Sequence, residues 1–242
     1  PYRKSMKSIA IILNQTLSYT APNVALDDVG TSRGAANFSI RGLGINSSIP
    51  SIDPTVGVFV DGIYIGINNG LVLDTFDLAS AEILRGPQGI LFGRNTTGGA
   101  VLLNSSNPTD YWSGEVRASL EGPVDSGRGR ASKTVHAILS GPIVSDLLNF
   151  KVAGYYNDDD GYFENSFDGS NIGRAETWIA RGALELTPSP DLTVIAKFEH
   201  LKTEGDGPTP VNHALTERGE FTINIDERGL FESESDLFSL RV

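Results

Sequence analysis

The residue patterns that could support catalysis in this chain are few. Residues 30–34 (GTSRG) match the G-x-S-x-G motif that carries the nucleophile of many hydrolases. That motif needs a strand before the serine and a helix after it, whereas residues 37–42 (NFSIRG) have the composition of a strand. Gly42 and Gly44 begin a dinucleotide-binding fingerprint, but Ser47 stands where its third glycine is required. The motifs therefore do not predict an enzyme.

The residue types that bind metals do not have the spacing of a metal site either. The chain has no cysteine and three histidines. His136, His200 and His213 fall on separate predicted strands or loops, without the spacing of a metal site. The acidic run at residues 158–161 (DDDG) lacks the alternating ligand positions of a calcium loop. We therefore expect no metal site, no resident cofactor and no disulfide bond.

The composition restricts the partners of the protein. A formal net charge of −11 makes nucleic acid an improbable partner. The longest apolar runs, such as Val56–Val60, are far shorter than the roughly 20 residues of a membrane-spanning helix. Contact with a membrane would thus require the strands of a β-barrel. No secretory signal is visible at Pro1 and beyond, so we expect a mature form or a fragment.

The first half of the chain, residues 1–108, reads as a small domain punctuated by glycines. Two β-rich runs flank Asp61 and Gly62, a pair that tolerates the positive φ angles of a type I′ hairpin turn. Further short strands are predicted at residues 81–84 and 98–103. Such a domain is a poor scaffold for an enzyme but a reasonable insert within a larger wall.

From Trp112 onward the hydrophobic period changes to two. In residues 177–186, the positions of Trp178, Leu184 and Leu186 alternate with a second face that carries charged and polar residues. The same alternation occurs over residues 114–121, 148–156 and 192–199. Strands of this kind, at roughly 9–11 residues, can cross a bilayer when tilted.

The connections of the second half also follow a pattern. Tight turns containing proline are predicted at residues 142–146 and 188–191, and long polar loops at residues 157–176 and 203–235. Alternation of short turns with long loops is typical of an outer-membrane barrel. A soluble β-sandwich also alternates, so the second half alone does not decide between them.

Three segments of the first half, in order, resemble the plug signature of the TonB-dependent outer-membrane receptors. They are residues 39–42 (SIRG), residues 56–66 (VGVFVDGIYIG) and residues 77–108, which contain ILRGPQGILFG followed by GGA. Residues 19–26 resemble an early plug segment, and residues 140–143 and 152–164 resemble the first hairpins of the barrel.

The resemblance implies a mostly β fold. A small mixed α/β plug domain would occupy residues 1–108, and residues 109–242 would form antiparallel strands of a nominally 22-stranded transmembrane β-barrel, incomplete here. About six wall strands can be counted, and an open sheet of six spanning strands would leave unpaired edges in lipid. No convincing energy-coupling box is found in residues 1–16.

By the same resemblance, outward loops of the plug contact the cargo, and arginines of the plug pair with carboxylates of the inner wall and so latch the plug in place. The predicted cargo-contacting residues are Arg33, Asn46, Ser47, Ser48, Asp53, Tyr64, Asn68 and Asn69. The predicted latch residues are Arg41, Glu82, Arg85 and Arg94. Amides and hydroxyls suit a polar cargo because they both donate and accept hydrogen bonds. A local Glu82–Arg85 pair of little energy is the competing interpretation of the latch.

The function implied is active import of a scarce nutrient across a Gram-negative outer membrane. A ferric siderophore is the first candidate, ahead of haem, cobalamin or oligosaccharides. The implied partners are outer-membrane lipid, a small polar cargo and a TonB-type inner-membrane energiser reached through the periplasm. A passive porin or adhesin-type barrel would have no plug, and a secreted β-rich hydrolase would bring a serine, a histidine and an acid together.

Overall fold

A computed structural model describes residues 21–28, 36–44, 52–66, 76–122, 131–207 and 221–242. Within them the chain is mostly strand, with one four-residue helix, α1 (Gly89–Phe92). No helix in this part of the protein is long and apolar enough to cross a membrane.

The first part of the chain forms two small sheets, which we call the plug. Its strands are β1 (Val24–Asp28), β2 (Ala36–Ile40), β3 (Val56–Val60), β4 (Ile63–Ile65), β5 (Leu78–Arg85) and β6 (Gly99–Ser105). Strands β1 and β2 form an antiparallel pair. The other four are ordered β4-β3-β6-β5, with β3 and β6 parallel and the two outer pairs antiparallel.

The predicted Asp-Gly hairpin is confirmed between β3 and β4. Asp61 and Gly62 have φ angles of 48° and 85°, the left-handed pair that a type I′ turn requires. The apolar side chains of the two plug sheets face one another and form a single core. Its buried members are Ala21, Val24, Phe38, Ile40, Val56, Val58, Val101 and Leu103.

The second part of the chain forms one six-stranded antiparallel sheet, which we call the wall. Its strands are β7 (Ser113–Glu121), β8 (Ser132–Val144), β9 (Leu148–Asp159), β12 (Ala175–Ser189), β13 (Leu192–Asp206) and β15 (Leu230–Arg241). They lie side by side in chain order. This agrees with the six wall strands predicted from the sequence.

The two faces of the wall differ as the period of two predicts. Trp178, Leu184 and Leu186 are exposed on the outer face, whereas Ile179 and Ala183 are buried on the inner face against the plug. Aromatic side chains lie toward both ends of the outer face, as pairs formed by Trp112 with Phe150 and by Tyr156 with Trp178. An exposed apolar band with aromatic borders is the surface that a barrel presents to lipid.

Of the prolines predicted to lie in the tight turns, Pro190 does so, whereas Pro142 and Pro188 lie inside strands. Pro142 belongs to β8 and Pro188 to β12, and the pairing register shifts at both places. Proline cannot donate to the ladder, so it is accommodated where a bulge interrupts the pairing. The turns themselves follow a few residues later.

A small sheet occupies the long-loop end of the wall. It consists of β10 (Phe163–Asn165), β11 (Asn171–Ile172) and β14 (Thr222–Ile223). Asn165 is buried and joins two successive loops, since its amide donates to Ile225 O at 2.8 Å and its oxygen accepts from Ile225 N at 3.1 Å. Secondary structure within these loops was not predicted from the sequence.

Candidate functional site

The plug meets the inner face of the wall at one end of its four-stranded sheet. Three plug segments converge there: the β3–β4 turn, the residues just before β5, and the end of β6. Opposite them lie Lys151, Arg181 and Lys197 of β9, β12 and β13, which we call the wall cations. Facing these are Asp61 and Asp77, which we call the plug carboxylates.

Lys151 and Asp77 form the most buried of these contacts. The Lys151 ammonium lies 2.7 Å from Asp77 Oδ1, and the two side chains are 4% and 0% exposed. The ammonium also donates to the hydroxyl oxygen of Ser106, at 2.9 Å, and to its carbonyl oxygen. The pair is thus hydrogen-bonded as well as charged, the condition under which a buried ion pair is tolerated.

Arg181 completes the surroundings of Asp77. Its Nη1 donates to Phe76 O at 3.0 Å and lies 4.0 Å from Asp77 Oδ2, while its Nε pairs with Glu199 of the adjacent strand. Its guanidinium carbon is 4.5 Å from the centroid of the Phe76 ring, a cation–π distance. Among the described residues, Asp77 Oδ2 accepts no hydrogen bond.

Phe76 anchors the same corner through apolar contact. Its ring centroid lies 5.3 Å from that of Tyr155 and 5.9 Å from that of His136. Phe76 belongs to a buried cluster whose other members are Ala153, Tyr155, Ile179 and Leu201 of the wall. A plug aromatic is therefore inserted among wall side chains, and the polar pairs lie beside it.

Lys197 holds the β3–β4 turn in the same manner. Its ammonium lies 2.9 Å from Asp61 Oδ1 and also donates to the carbonyl and hydroxyl oxygens of Ser105, each at 2.9 Å. The Ser105 hydroxyl in turn donates to Asp61 Oδ2 at 2.7 Å. Two serines at the end of the plug, Ser105 and Ser106, thus serve equivalent roles for the two wall lysines.

Only two of the predicted cargo-contacting residues lie in the described part of the chain, and the structure brings them together. The Asn95 amide donates to Asp53 Oδ1 at 3.2 Å and to the Tyr64 hydroxyl at 2.8 Å. Asp53 precedes β3 and is exposed, at the opposite end of that strand from Asp61. Asn95 was not predicted from the sequence. The remaining residues, which lie outside the described ranges, are Arg33, Asn46, Ser47, Ser48, Asn68 and Asn69.

The four predicted latch residues have a different environment from the wall cations. Arg41, Glu82, Arg85 and Arg94 are all exposed, and none forms an ion pair with another described residue. The plug–wall pairs that are described have the opposite polarity, with carboxylates on the plug and cations on the wall. Latching by these four residues remains a prediction.

The two described histidines each pair with a carboxylate. His136 is paired with Glu115 at 3.2 Å, and His200 with Asp236 at 2.9 Å on the outer face. The G-x-S-x-G motif at residues 30–34 and His213 lie outside the described ranges. Among the residues that are described, no group of three or more His, Asp or Glu side chains is arranged to hold a metal ion.

Comparison of the sequence with known families and proteins identifies relatives of both parts. Residues 6–100 match the family model described as TonB-dependent Receptor Plug Domain. The pesticin receptor of Yersinia pestis is 32% identical over 154 residues, which cover 63% of this chain and 21% of the receptor. The ferrioxamine B receptor of Salmonella typhimurium is 33% identical over 112 residues, 45% of this chain and 15% of the receptor.

Solved structures resemble the chain over nearly its whole length. The ferric yersiniabactin uptake receptor from Yersinia pestis has a TM-score of 0.73 at 24% identity, covering 94% of this chain and 35% of that protein. The siderophore receptor PirA from Acinetobacter baumannii has a TM-score of 0.65 at 20% identity, covering 90% and 33%. The chain therefore spans about a third of these structures and has the fold of their plug and adjoining wall.

Proposed function

Because this chain belongs to the TonB-dependent receptors, we propose that it supplies the plug and several wall strands of an energy-coupled importer of the Gram-negative outer membrane. Members of this family are transporters and not enzymes. The proposed cargo is a ferric siderophore, taken up intact and without any chemical change.

The observation that carries the proposal is the seal between plug and wall. A 22-stranded barrel encloses a lumen wide enough to leak, so it must be plugged. Here the plug contacts the polar inner face of the wall through two buried or nearly buried ion pairs, Asp77–Lys151 and Asp61–Lys197. A passive porin has no use for such a seal.

The choice of cargo is supported by the names of the relatives. One of them is named a ferrioxamine B receptor, and another a ferric yersiniabactin uptake receptor. In this chain, the polar group formed by Asp53, Tyr64 and Asn95 offers both donors and acceptors at the end of the plug away from the wall cations. We assign cargo contact to it and to the predicted loop residues.

The energy source in this proposal is a TonB-type protein of the inner membrane, which acts on the plug from the periplasm. Cargo binding on the outer side would shift the plug toward a state that this partner engages, and by linkage engagement of that state would strengthen cargo binding, so release of the cargo requires the energy that the partner supplies.

Uptake of radiolabelled ferric chelates tests the proposal directly. A strain that lacks the gene should lose uptake of one ferric siderophore while uptake through other receptors continues. Removal of the energiser should abolish transport but leave binding of the cargo to intact cells. Full uptake of ferric siderophores, cobalamin and sugars by the deletion strain would refute the assignment to nutrient import.

A further inference from the structure

The two wall lysines obtain their acceptors from the plug. Lys151 pairs with Asp77 and Lys197 with Asp61, and the remaining acceptors of both ammonium groups are serine oxygens of the plug. Within the described residues, no carboxylate of the wall pairs with either lysine. They are cations on the lumen side of the wall whose counterions belong to a separate part of the protein.

The wall cations are close to one another because of the strand register. Ala183 pairs with Lys151 on one side and with Lys197 on the other, so the two lysines lie in one row across three strands. Arg181 lies in the next row, opposite Glu199. Neighbouring strands are about 4.8 Å apart, so the three positive groups occupy a small area of the lumen surface.

Displacement of the plug would leave this area with a charge imbalance. Glu199 is engaged by Arg181, and Glu185 in the neighbouring row bonds to Asn149. Cations that have lost their counterions in a partly desolvated site attract any available anion. The wall cations thus form a positively charged area in a chain whose formal net charge is −11.

We propose that the wall cations form an anion-binding cradle, which the plug carboxylates occupy at rest. When the plug moves, anionic oxygens of a passing cargo, carboxylates above all, take their place. The plug carboxylates thus act as internal stand-ins for the ligand. This role in passage rests on the proposed import function, whereas the existence of the cradle does not.

The backbone at the plug carboxylates permits a direct test of the cradle. Asp61 and Asp77 have φ angles of 48° and 59°, where glycine is fully tolerated. The double substitution D61G/D77G therefore removes both carboxylates without straining the turns. Acetate restores the missing atoms, since an aspartate side chain beyond Cα is a methylene and a carboxylate. The complete receptor is used, and acetate is compared with the neutral analogue acetamide at equal ionic strength.

Acetate should raise the melting temperature of D61G/D77G by roughly 2–4 °C over acetamide, because a ligand that binds only the folded state stabilises it. The response should disappear in D61N/D77N, whose amides fill the space, and when K151Q/K197Q is added to the glycine variant. Equal effects of acetate and acetamide, or a response that survives loss of the lysines, would overturn the proposal.

A second measurement tests the role in cargo passage. Uptake of a ferric chelate with free carboxylates is compared with uptake of its methyl-ester analogue. K151Q/K197Q should slow the anionic chelate roughly tenfold relative to the ester, and the outer-face control K133Q/K202Q should change neither. An equal loss for both chelates would overturn the passage role, leaving only a latch. Acetate rescue without any chelate uptake by the wild type would instead refute the import function alone.

Discussion

At the scale of single residues, the junction of plug and wall depends on a few buried charges. Lys151 and Asp77 are removed from solvent together, and each supplies the counterion of the other. Lys133, on the outer face of the same sheet, pairs with Asp158 at 3.2 Å while 53% of its side chain remains exposed. The two lysines are a matched comparison between a buried and a solvated ion pair.

Replacement of Lys151 by methionine should destabilise the seated plug by about 3–5 kcal/mol, because Asp77 is left buried without its nearest counterion. The urea concentration that exposes the plug to protease in the complete receptor measures this change. Adding Asp77→Asn should restore part of the loss, since asparagine tolerates the positive φ at this position. The control Lys133→Met should cost no more than about 1 kcal/mol. Similar losses in both lysine variants would contradict the assigned role of burial.

The roles of these residues at the plug–wall junction can be predicted from the sequence only in part. The sequence predicts Asp61 as a turn residue, and its φ of 48° confirms this. It does not predict that the carboxylate pairs with a wall lysine 136 positions away. The alternation correctly assigns Lys151, Arg181 and Lys197 to the polar face. Their clustering depends on the register of three strands, which a pattern of period two does not specify. The missed signal is the concentration of cations at neighbouring positions of one face.

At the scale of elements, each wall strand separates an exposed apolar face from a face packed against the plug by alternation. Leu184 is 49% exposed on the outer face, and its chain neighbour Ala183 is buried against the plug. The position of the strands was predictable because the apolar face recurs at every second residue. The bulges at Pro142 and Pro188 were not, since a proline in sequence marks an interruption without fixing its distance from the turn.

Leu184→Arg should destabilise the folded receptor by about 2–4 kcal/mol if this position lies near the bilayer midplane. The reason is that arginine on the outer face must enter hydrocarbon. Ser189→Arg, at the exposed end of the same strand near the short turn, should cost at most about 1 kcal/mol. Unfolding in lipid vesicles provides the measurement. An equal effect of the two substitutions would argue against a lipid-facing outer surface.

The small sheet of the long loops has its own pH dependence. The Ser170 hydroxyl and backbone N–H, with a smaller contribution from Arg228, hold the pKa of Asp168 below its usual 3.8. A lowered folded-state pKa stabilises the loops above the ordinary value, and this stabilisation is lost as the pH falls below 3.8 through the folded pKa. The protection factors of the amides in residues 163–172, which are corrected for the pH dependence of intrinsic exchange, should therefore fall at low pH. Asp168→Asn should show faster exchange already at neutral pH and no further acid effect, and an unchanged acid response in that variant would exclude Asp168 as its source.

At the scale of the whole molecule, the plug is joined to the wall by covalent continuity as well as by ion pairs. The Thr109 hydroxyl donates to Ser140 Oγ at 3.0 Å, and the backbone N–H of Thr109 donates to the same atom at 2.9 Å. The segment that joins plug to wall is therefore held against β8 at Ser140 before the chain enters β7. We expect this link to remain in place when the rest of the plug moves.

A disulfide between Thr109→Cys and Ser140→Cys tests this expectation, and the chain has no native cysteine to interfere. Closing a loop of 31 residues should stabilise the receptor by about 3–4 kcal/mol at most. Uptake by the oxidised variant should stay within about twofold of wild type. Each single-cysteine variant is a control. Loss of uptake that a reductant reverses would show that the link itself must move.

Such a tether changes the kinetics of resealing. Because the plug stays attached to the wall, its return to the closed position is an intramolecular step. The effective concentration of the plug at its site is set by a few residues of chain. The time for which the pore stays open after each cycle should then be independent of how many receptors the membrane contains. If import proceeds as we propose, a cell can therefore raise the number of receptors during starvation without lengthening the leak through any one of them.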